Sequence, residues 1–494
     1  MEQREIPSWK KWCTWQTLMA AFVVCEMLAF CARHYGAFYL DRLWPQTGQP
    51  LTVGFAAIVL SRADVRKRPG MRWMIAYFLW YLAVLIINRW FLAYEFAGFR
   101  LVLYRLLFVT LVCYPLGWEL AARRRAARAV FCTLTGALAV MSAIGLFCVV
   151  FQTRWYTPLR HGAVGLLMEE FTGLRLYLFA HPNIAGAALM MTMLLCVYLW
   201  LTAARRAAKV WHGLCFALHF LALALTVSRT SMIAASAGLA LLPFLWVYGR
   251  LRASRPLLSW VAGIGCAALA VAICYGSLTL VVWGAGRVVQ IPDAPADVGI
   301  SAEASVEASV EASAEIPVEA SADARESPVD LLSQREQLGI TSLLSGRTVI
   351  WDAALRTVAA YPTLLLKGAT LERLMLTVRS QAPAPGIESF VHLHSSYLTV
   401  LIGMGLPGFL LLAGFLVLLA RRSLRLMLCT DAGLGERFLP AVLLGSVIVA
   451  MAEPFYFTGQ YFMDRLFFLA AGFVMAEAYR KNAPRARRDA SVLP

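Results

Sequence analysis

Residues 392–422 read HLHSSYLTVLIGMGLPGFLLLAGFLVLLARR, two histidines followed by a long apolar run that ends in two arginines. The run at about 396–420 has no charged residue, and as a helix it is long enough to cross the ~30 Å hydrocarbon layer of a bilayer. Arginines at the end of such a run are typical of its cytoplasmic side. The stretch therefore predicts a membrane helix with His392 and His394 at its outer end.

The whole chain has the composition of a protein that crosses the membrane many times. Of its 494 residues, 60% are hydrophobic and only 15% are charged, whereas a soluble domain is about 25% charged. The predicted fold is an all-α membrane protein with about twelve transmembrane helices. The apolar runs lie at about 14–33, 50–62, 73–92, 99–118, 129–151, 183–203, 210–228, 231–249, 257–283, 396–420, 436–453 and 463–479.

Basic clusters between these runs predict the orientation. They lie at 62–72, 123–128, 205–209, 250–255 and 421–425, and in the tail from 480 onward. With twelve spans and both ends inside, every cluster is cytoplasmic, as the positive-inside rule requires. Dropping the weakest run would put later clusters on the wrong face. The same topology puts the long loop between the ninth and tenth spans outside the cytoplasm, together with the loop before the sixth.

Charge and cysteine placement exclude several other classes. The net charge of +16 comes from these short clusters, without basic and aromatic residues interleaved on a soluble stretch, so no nucleic acid is expected. Nearly all eleven cysteines lie in apolar runs without metal-ligand spacing, which predicts neither disulfides nor a metal site. No nucleotide or other cofactor is predicted. The first run is interpreted as a span because it lacks a convincing signal-cleavage site.

The predicted organisation has four parts. Residues 1–283 hold spans 1–9, 284–395 form the extracytoplasmic loop, 396–479 hold spans 10–12, and 480–494 form a basic cytoplasmic tail. Within the loop, 291–330 is an acidic low-complexity insertion, predicted to be solvated and disordered. Residues 345–361 are predicted to form an amphipathic helix, because apolar residues recur at helical spacing after Ser345, which can cap it.

Ionisable residues in or between spans are costly and are usually paired or functional. Glu26 and Arg105 are expected at similar depth, which predicts an ion pair between the first and fourth spans. Arg229 lies in LTVSRTSMI, residues 225–233, a very tight outer turn between two spans. A permanently charged guanidinium there needs an anion or carbonyl partners, and both phosphate binding and snorkelling to headgroups satisfy it.

The loop before the sixth span ends in GLRLYLFAHPNIAGAAL, residues 173–189. Asn183 can cap the following helix, and Pro182 fixes the direction from which the chain joins it. Arg175 is a second cation on the outer face. His181 taken alone is more often a structural residue than a catalyst.

Four stretches thus follow one another: RLYLFAHPN, SRTS, SGRTVIWDAAL…YP and HSSYLTVLIGMGLPG. In this order, with twelve spans and a large outer loop before the tenth, the chain resembles the O-antigen ligase family over about 129–475. That family also includes polysaccharide polymerases and protein O-oligosaccharyltransferases. One departure is LKGATLE, residues 366–372, where the family often has Gly-x-Gly after the loop helix.

The resemblance implies a bacterial inner-membrane glycosyltransferase of the cell envelope. Such an enzyme moves a glycan from a polyprenyl-diphosphate carrier, such as undecaprenyl diphosphate, to an acceptor hydroxyl of a glycan or glycolipid such as lipopolysaccharide. The reaction takes place on the outer face and needs neither metal nor nucleotide. By position, the catalytic residues are His394, Arg347 and Arg229. The residues implied to bind the diphosphate or glycan are Arg175, His181, Asn183, Ser395 and Tyr397.

The chemistry of these side chains agrees with that assignment. A diphosphate leaving group gains negative charge as its bond to the sugar breaks, and arginines give permanently charged, bidentate contacts to phosphate oxygens. The acceptor hydroxyl must lose a proton, for which histidine is a suitable base. His392 lies outside the family pattern and is interpreted as a loop or auxiliary residue.

Three other functions compete with ligation. A polymerase of the same superfamily uses the same donor but adds repeats to a growing lipid-linked chain. A lipid-glycan flippase or transporter can also have about twelve spans, but transporters often have repeated halves and discontinuous helices at mid-membrane. This sequence has no such duplication, and the candidate site cations Arg175, Arg229 and Arg347 are expected at the outer face rather than at the midplane. A non-catalytic membrane scaffold is the third alternative.

Overall fold

The computed structural model describes residues 14–33, 38–88, 96–151, 153, 155–156, 163–169, 173–178, 181–288, 347–371, 373–381, 392–459 and 461–482. The predicted acidic insertion at 291–330, the predicted cap Ser345 and most of the basic tail lie outside these residues.

The first half of the described chain is helical except for one small sheet. Its elements are α1 Trp15–Arg33, α2 Phe38–Ser61, α3 Ala63–Arg66, α4 Met71–Ile87, α5 Phe96–Phe108, a π-helical turn Val109–Cys113, α6 Tyr114–Ala122, α7 Arg124–Val150, β1 Trp155–Tyr156, β2 Ala163–Glu169 and β3 Gly173–Tyr177.

The remaining elements are all helices. They are α8 Pro182–Thr202, α9 Arg206–Leu225, α10 Arg229–Leu251, α11 Pro256–Val288, α12 Arg347–Ala360, α13 Leu364–Lys367, α14 Leu374–Gln381, α15 Ser396–Leu428, α16 Leu434–Phe438, α17 Pro440–Ala452 and α18 Phe462–Asn482.

The helical, multi-pass character of the protein is confirmed. Among the described residues, eight helical stretches are long and apolar enough to cross a bilayer, and three shorter apolar helices coincide with the first three predicted runs. The last predicted run coincides with α18, which carries the buried ionisable residues Asp464, Arg465 and Glu477. Each of the twelve predicted apolar runs therefore falls on a helix.

The three-stranded antiparallel sheet is a feature that the sequence analysis did not predict. It has the order β1-β2-β3, and Arg175 of β3 lies opposite Leu167 of β2. The strand β3 contacts the three helices α7, α8 and α9. Short strands at the end of a helical bundle give only a few alternating residues, a much weaker pattern than a long apolar run.

Helix α8 lies at the centre of the bundle, and α11 lies at its edge. In α8 the most apolar window is 83% buried within the protein, whereas in α11 it is only 11% buried. The side chains that α11 leaves exposed are large and apolar, including Leu257, Val261, Leu269 and Leu280. An apolar helix that is exposed in this way faces lipid rather than water.

A buried ion pair connects the first and last helices of the bundle. The carboxylate of Glu26 in α1 accepts a hydrogen bond from Arg465 Nη1 in α18 at 3.0 Å, and the Tyr104 hydroxyl donates to it as well. The predicted partner of Glu26, Arg105, is therefore wrong, and Arg465 takes its place. The reason is that α18, far away in the sequence, packs against α1.

Helix α15 is broken within its span. Gly405 has φ 71° and ψ 177°, a conformation that interrupts a helix, and Pro407 follows it. Gly368 has φ +66° and packs against α15 next to this break. A Cβ on Gly368 would lie 2.5 Å from the carbonyl oxygen of Gly403. Only glycine fits this close approach without strain.

We predict that Gly368→Ala destabilises the protein by at least about 2 kcal/mol, because the new methyl group meets backbone at a left-handed φ. The apparent melting temperature in detergent measures this change. The matched control is Gly276→Ala in α11, where a Cβ would meet nothing within 4 Å. Equal melting temperatures for the two variants would contradict the packing described for Gly368.

Candidate active site

A single buried carboxylate connects two of the predicted catalytic residues. Glu453 follows the last residue of α17 and is 1% exposed. Its Oε1 accepts a hydrogen bond from Arg347 Nη2, and its Oε2 lies 3.7 Å from His394 Nδ1. The carboxylate thus lies between a guanidinium, which compensates its buried charge, and an imidazole.

The backbone around Glu453 is hydrogen-bonded to the start of α15. The Glu453 carbonyl accepts from the Ser396 amide at 3.1 Å and from the Ser396 hydroxyl at 2.6 Å. The same hydroxyl accepts from the Tyr456 amide at 3.2 Å. The end of α17 and the start of α15 are therefore held together directly beside His394.

His394 and Ser395 form the start of α15. Ser395 is the N-cap, and its hydroxyl accepts from the Leu398 amide at 3.4 Å. His394 has φ 48°, in the left-handed region that side chains other than glycine seldom adopt. Such strain persists where the surrounding contacts fix it, and it is common at functional sites.

Arg347 is the first residue of α12 and is buried. Its Nη1 lies 3.5 Å from the hydroxyl of Thr230, the residue after Arg229. Trp351, one turn further along α12, donates through Nε1 to the Leu393 carbonyl at 2.8 Å. Helix α12 therefore contacts the His394 segment and the start of α10 together, which brings all three predicted catalytic residues to one end of the bundle.

Arg229 opens α10 and is exposed. The turn before it, Thr226–Ser228, is buried apart from Val227, which has φ 53°. A Cβ on Gly186 of α8 would lie 2.7 Å from the Ser228 Cβ, so α8 packs directly on this turn. The position of the exposed guanidinium is therefore set by a rigid turn beneath it.

Arg175 stabilises the turn Thr226–Ser228 through a hydrogen bond to its backbone. Its Nε donates to the Thr226 carbonyl at 2.8 Å, and its Nη2 donates to Asn183 Oδ1 at 2.6 Å. The side chain is buried, so both hydrogen bonds are shielded from water. Arg175 therefore connects β3, the start of α8 and the turn that leads to Arg229.

His181, rather than Asn183, is the N-cap of α8. Its Nδ1 accepts from the Asn183 amide at 3.2 Å, while the Asn183 side chain accepts from Arg175. The sequence predicts Asn183 as the cap because asparagine is the commoner capping residue. The buried arginine, which needs an acceptor, takes the Asn183 oxygen instead. The His181 side chain is exposed.

The Tyr397 hydroxyl donates to the Val447 carbonyl in α17 at 3.3 Å, and its ring packs on Phe457 with 5.6 Å between centroids. Both Tyr397 and the capping Ser395 thus make contacts within the helical bundle. These contacts fix α15 against α17 at the level of His394.

His392 lies beside the predicted site and is hydrogen-bonded to Tyr461 through its Nε2, at 3.3 Å from the phenolic oxygen. The pKa of His392 is lowered to about 4, chiefly by burial and to a smaller extent by the neighbouring His394 and His181, whereas Glu453 opposes the shift. The imidazole of His392 is therefore neutral at neutral pH. From the sequence, His392 is interpreted as a loop or auxiliary residue, and no role is predicted for Tyr461.

Sequence reasoning also missed Glu453 and Asp464. The sequence signal for Glu453 is a lone acid in MAEPFYF, residues 451–457, at the end of an apolar run. Asp464 accepts from the Phe457 amide and the Thr458 hydroxyl, so it fixes the segment that follows Glu453.

Among the described residues, no cluster of ligating side chains could hold a metal ion.

These features define a class: a multi-pass helical membrane protein in which an arginine and a histidine face one buried carboxylate where several helices begin or end. Comparison with protein-family models matches residues 214–413 to O-antigen ligase (Wzy_C). The match supports the family that the motifs indicate, that of O-antigen ligase and polymerase-type membrane enzymes. It covers Arg229, Arg347 and His394 and ends before Glu453. No curated protein and no solved structure matches the chain.

We predict that Arg175→Ala lowers stability by about 1–3 kcal/mol, because it leaves the Thr226 carbonyl and the Asn183 amide oxygen without their donor. Thermal unfolding in detergent measures the change. Arg356→Ala is the control, since Arg356 pairs with Asp352 on the exposed side of α12. If both variants unfold like the parent protein, Arg175 does not hold the turn.

We predict that stability falls as the pH drops from about 6.5 toward 4. In this window the unfolded chain, where histidine has its ordinary pKa of about 6.5, binds a proton that folded His392 does not bind. Above that window His392 contributes no pH dependence. His392→Gln should therefore reduce the difference in apparent melting temperature between pH 7.5 and pH 5. An unchanged difference would contradict the neutral state of His392 in the folded protein.

Proposed function

We propose that the protein is a glycosyltransferase that moves a glycan from a polyprenyl-diphosphate carrier to an acceptor hydroxyl on the outer face of the bacterial cytoplasmic membrane. The observation that carries this proposal is the contact of Arg347 and His394 with the two oxygens of one buried carboxylate, Glu453. The proposed cation for the leaving group and the proposed base for the acceptor therefore lie next to the same carboxylate.

Arg347 and Arg229 are assigned to the diphosphate. A guanidinium has five N–H donors, and in Arg347 one is directed to Glu453 and one to Thr230. The remaining donors can contact phosphate oxygens. Arg229 is exposed on the neighbouring turn, where an anion from solution or from the bilayer can reach it. In a partly dry site, such charges stabilise the leaving group most strongly as its bond breaks.

His394 is assigned to base catalysis. Because Nδ1 faces Glu453, Nε2 is the ring nitrogen that can accept the proton of the acceptor hydroxyl. The acceptor oxygen forms a bond to the anomeric carbon, and the bond from that carbon to the diphosphate oxygen breaks, with its electron pair leaving on the diphosphate. Glu453 acts as a positioning residue that orients the imidazole and stabilises its protonated form.

The five further residues expected to bind substrate are assigned two kinds of role. His181 is exposed and lies close enough to His392 to influence its charge, so we assign it a contact with the glycan. The others hold the site through hydrogen bonds within the fold; they are Arg175, Asn183, Ser395 and Tyr397.

We further propose twelve spans with both ends in the cytoplasm, residues 284–395 as an extracytoplasmic loop and 480–494 as a basic cytoplasmic tail. Charge supports this orientation. At the ends of helices opposite to the site, Arg124 and Lys481 pair with Glu436 at 2.5 and 3.1 Å within a region rich in arginine. The positive-inside rule assigns that region to the cytoplasm and the site to the outer face.

A flippase is a weaker proposal than a transferase. The described cations and histidines of the site cluster at one end of the helices, whereas a transport pathway needs binding groups near the middle of the membrane. A polymerase uses the same donor chemistry and differs only in its acceptor. A deletion strain distinguishes the two enzymes, since loss of a ligase leaves long carrier-linked chains and loss of a polymerase leaves single repeat units.

We predict that His394→Ala, Arg347→Ala and Arg229→Ala each reduce transfer by at least about 10²-fold, a typical loss when an acid–base or charge-stabilising group is removed. The assay uses purified protein in liposomes with lipid-linked glycan and acceptor. Arg356→Ala on the exposed side of α12 is the matched arginine control.

All variants should remain in the membrane fraction, and the transfer rate of each is expressed per amount of purified protein. Full transfer activity in His394→Ala or Arg347→Ala would refute the assignment. Movement of glycan lipid between leaflets without any sugar transfer would instead favour the flippase.

A further inference from the structure

The break in α15 leaves backbone carbonyls that other parts of the chain must satisfy. Normally each helix carbonyl accepts from the amide four residues later, but Pro407 has no amide hydrogen to give to Gly403. The three carbonyls before the break instead accept from outside α15. Ala369 N donates to Ile402 O at 2.8 Å, Thr370 N to Gly403 O at 2.9 Å, and Trp80 Nε1 to Met404 O at 2.7 Å.

These hydrogen bonds fix the depth of the segment that supplies the amides. Gly403 lies seven residues into α15, which is about 10 Å along the helix axis at 1.5 Å per residue. Trp80, which bonds the next carbonyl, lies in the middle of α4 and agrees with that depth. The chain between α12 and α14 therefore descends beside α4 and α15 to well below the start of α15.

We infer that residues 361–370 form a re-entrant element whose exposed apolar side chains contact the acyl chains of the bilayer. Leu366 is 69% exposed and Tyr361 is 45% exposed, although both belong to a segment that lies alongside membrane-spanning helices. Exposed apolar side chains at that depth are continuous with the lipid-facing surface of the spans. The inference rests on the membrane-spanning helices and is independent of the proposed transfer reaction.

Most backbone amides of this segment have the partners that insertion into lipid requires. In a bilayer each backbone amide must find a partner within the protein, because no water is present. Seven consecutive amides, from Leu364 to Thr370, all donate to backbone carbonyls at 2.8–3.1 Å. Five of them bond within the segment, and the last two bond to α15. The turn before them contains Pro362, which has no amide hydrogen to satisfy.

Lys367 limits how deeply residues 361–370 enter the bilayer. Its side chain is exposed beside Leu366, and its carbonyl accepts from Asn88 Nδ2, at the end of α4, at 3.2 Å. A lysine at this position extends its stem along the apolar surface and keeps its ammonium group among the headgroups. The element therefore occupies only the part of one leaflet that is nearest the site, and it anchors the end of α12 opposite to Arg347.

The test places the photoreactive residue p-benzoylphenylalanine at Leu366, at Tyr361 and, as a control, at Arg356 of α12. Arg356 is exposed and pairs with the exposed Asp352, so its surroundings are expected to be aqueous. Each variant of the full chain is purified, reconstituted in phosphatidylcholine and phosphatidylglycerol liposomes and irradiated. Mass spectrometry then measures the yield of protein–lipid adducts.

Lipid adducts at Leu366 and Tyr361 should exceed those at Arg356 several-fold. Equal yields at the three positions would overturn the inference, and so would adducts at Arg356 alone. Transfer activity of the unirradiated variants is measured in parallel. The adduct yield does not depend on turnover. A result that contradicts the proposed glycan transfer can therefore be distinguished from one that contradicts this inference.

Discussion

The site depends on the burial of one negative charge. Glu453 is almost completely enclosed, and an unpaired carboxylate there would be strongly destabilising. Its two oxygens face Arg347 at the start of α12 and His394 at the start of α15. The carboxylate therefore holds together α12 and the two apolar helices α15 and α17, and it brings a permanent cation and an imidazole to one place.

The hydrocarbon layer explains most of the remaining architecture. Because amides need partners inside the bilayer, an interrupted span is tolerated only where other chain segments supply the missing donors. In α15 those donors come from Ala369, Thr370 and Trp80. The buried pair of Glu26 and Arg465 follows the same rule for charges, since each compensates the other between the first and last helices.

The features that could be predicted from the sequence are those with a local pattern of residues. Long apolar runs and basic clusters predict the helices, and Arg229 and His394 each stand out as ionisable residues next to such a run, whereas Arg347 is assigned from the family motif in the loop. The sequence did not indicate Glu453, because the pairing with Arg347 joins positions 106 residues apart and leaves no periodic pattern. For the same reason the predicted partner of Glu26 was wrong. The capping role of His181 was missed because the Asn183 side chain accepts a hydrogen bond from the buried Arg175.

The central claim is that Glu453 and His394 act as one catalytic unit. The most direct measurement is the pH dependence of the transfer rate in the parent protein and in Glu453→Gln, which keeps the size and the hydrogen-bonding ability of the side chain. The account predicts a lower maximal rate and an acidic limb that moves to lower pH, because the anion that stabilises protonated His394 is gone. A lower rate with an unmoved acidic limb would contradict it.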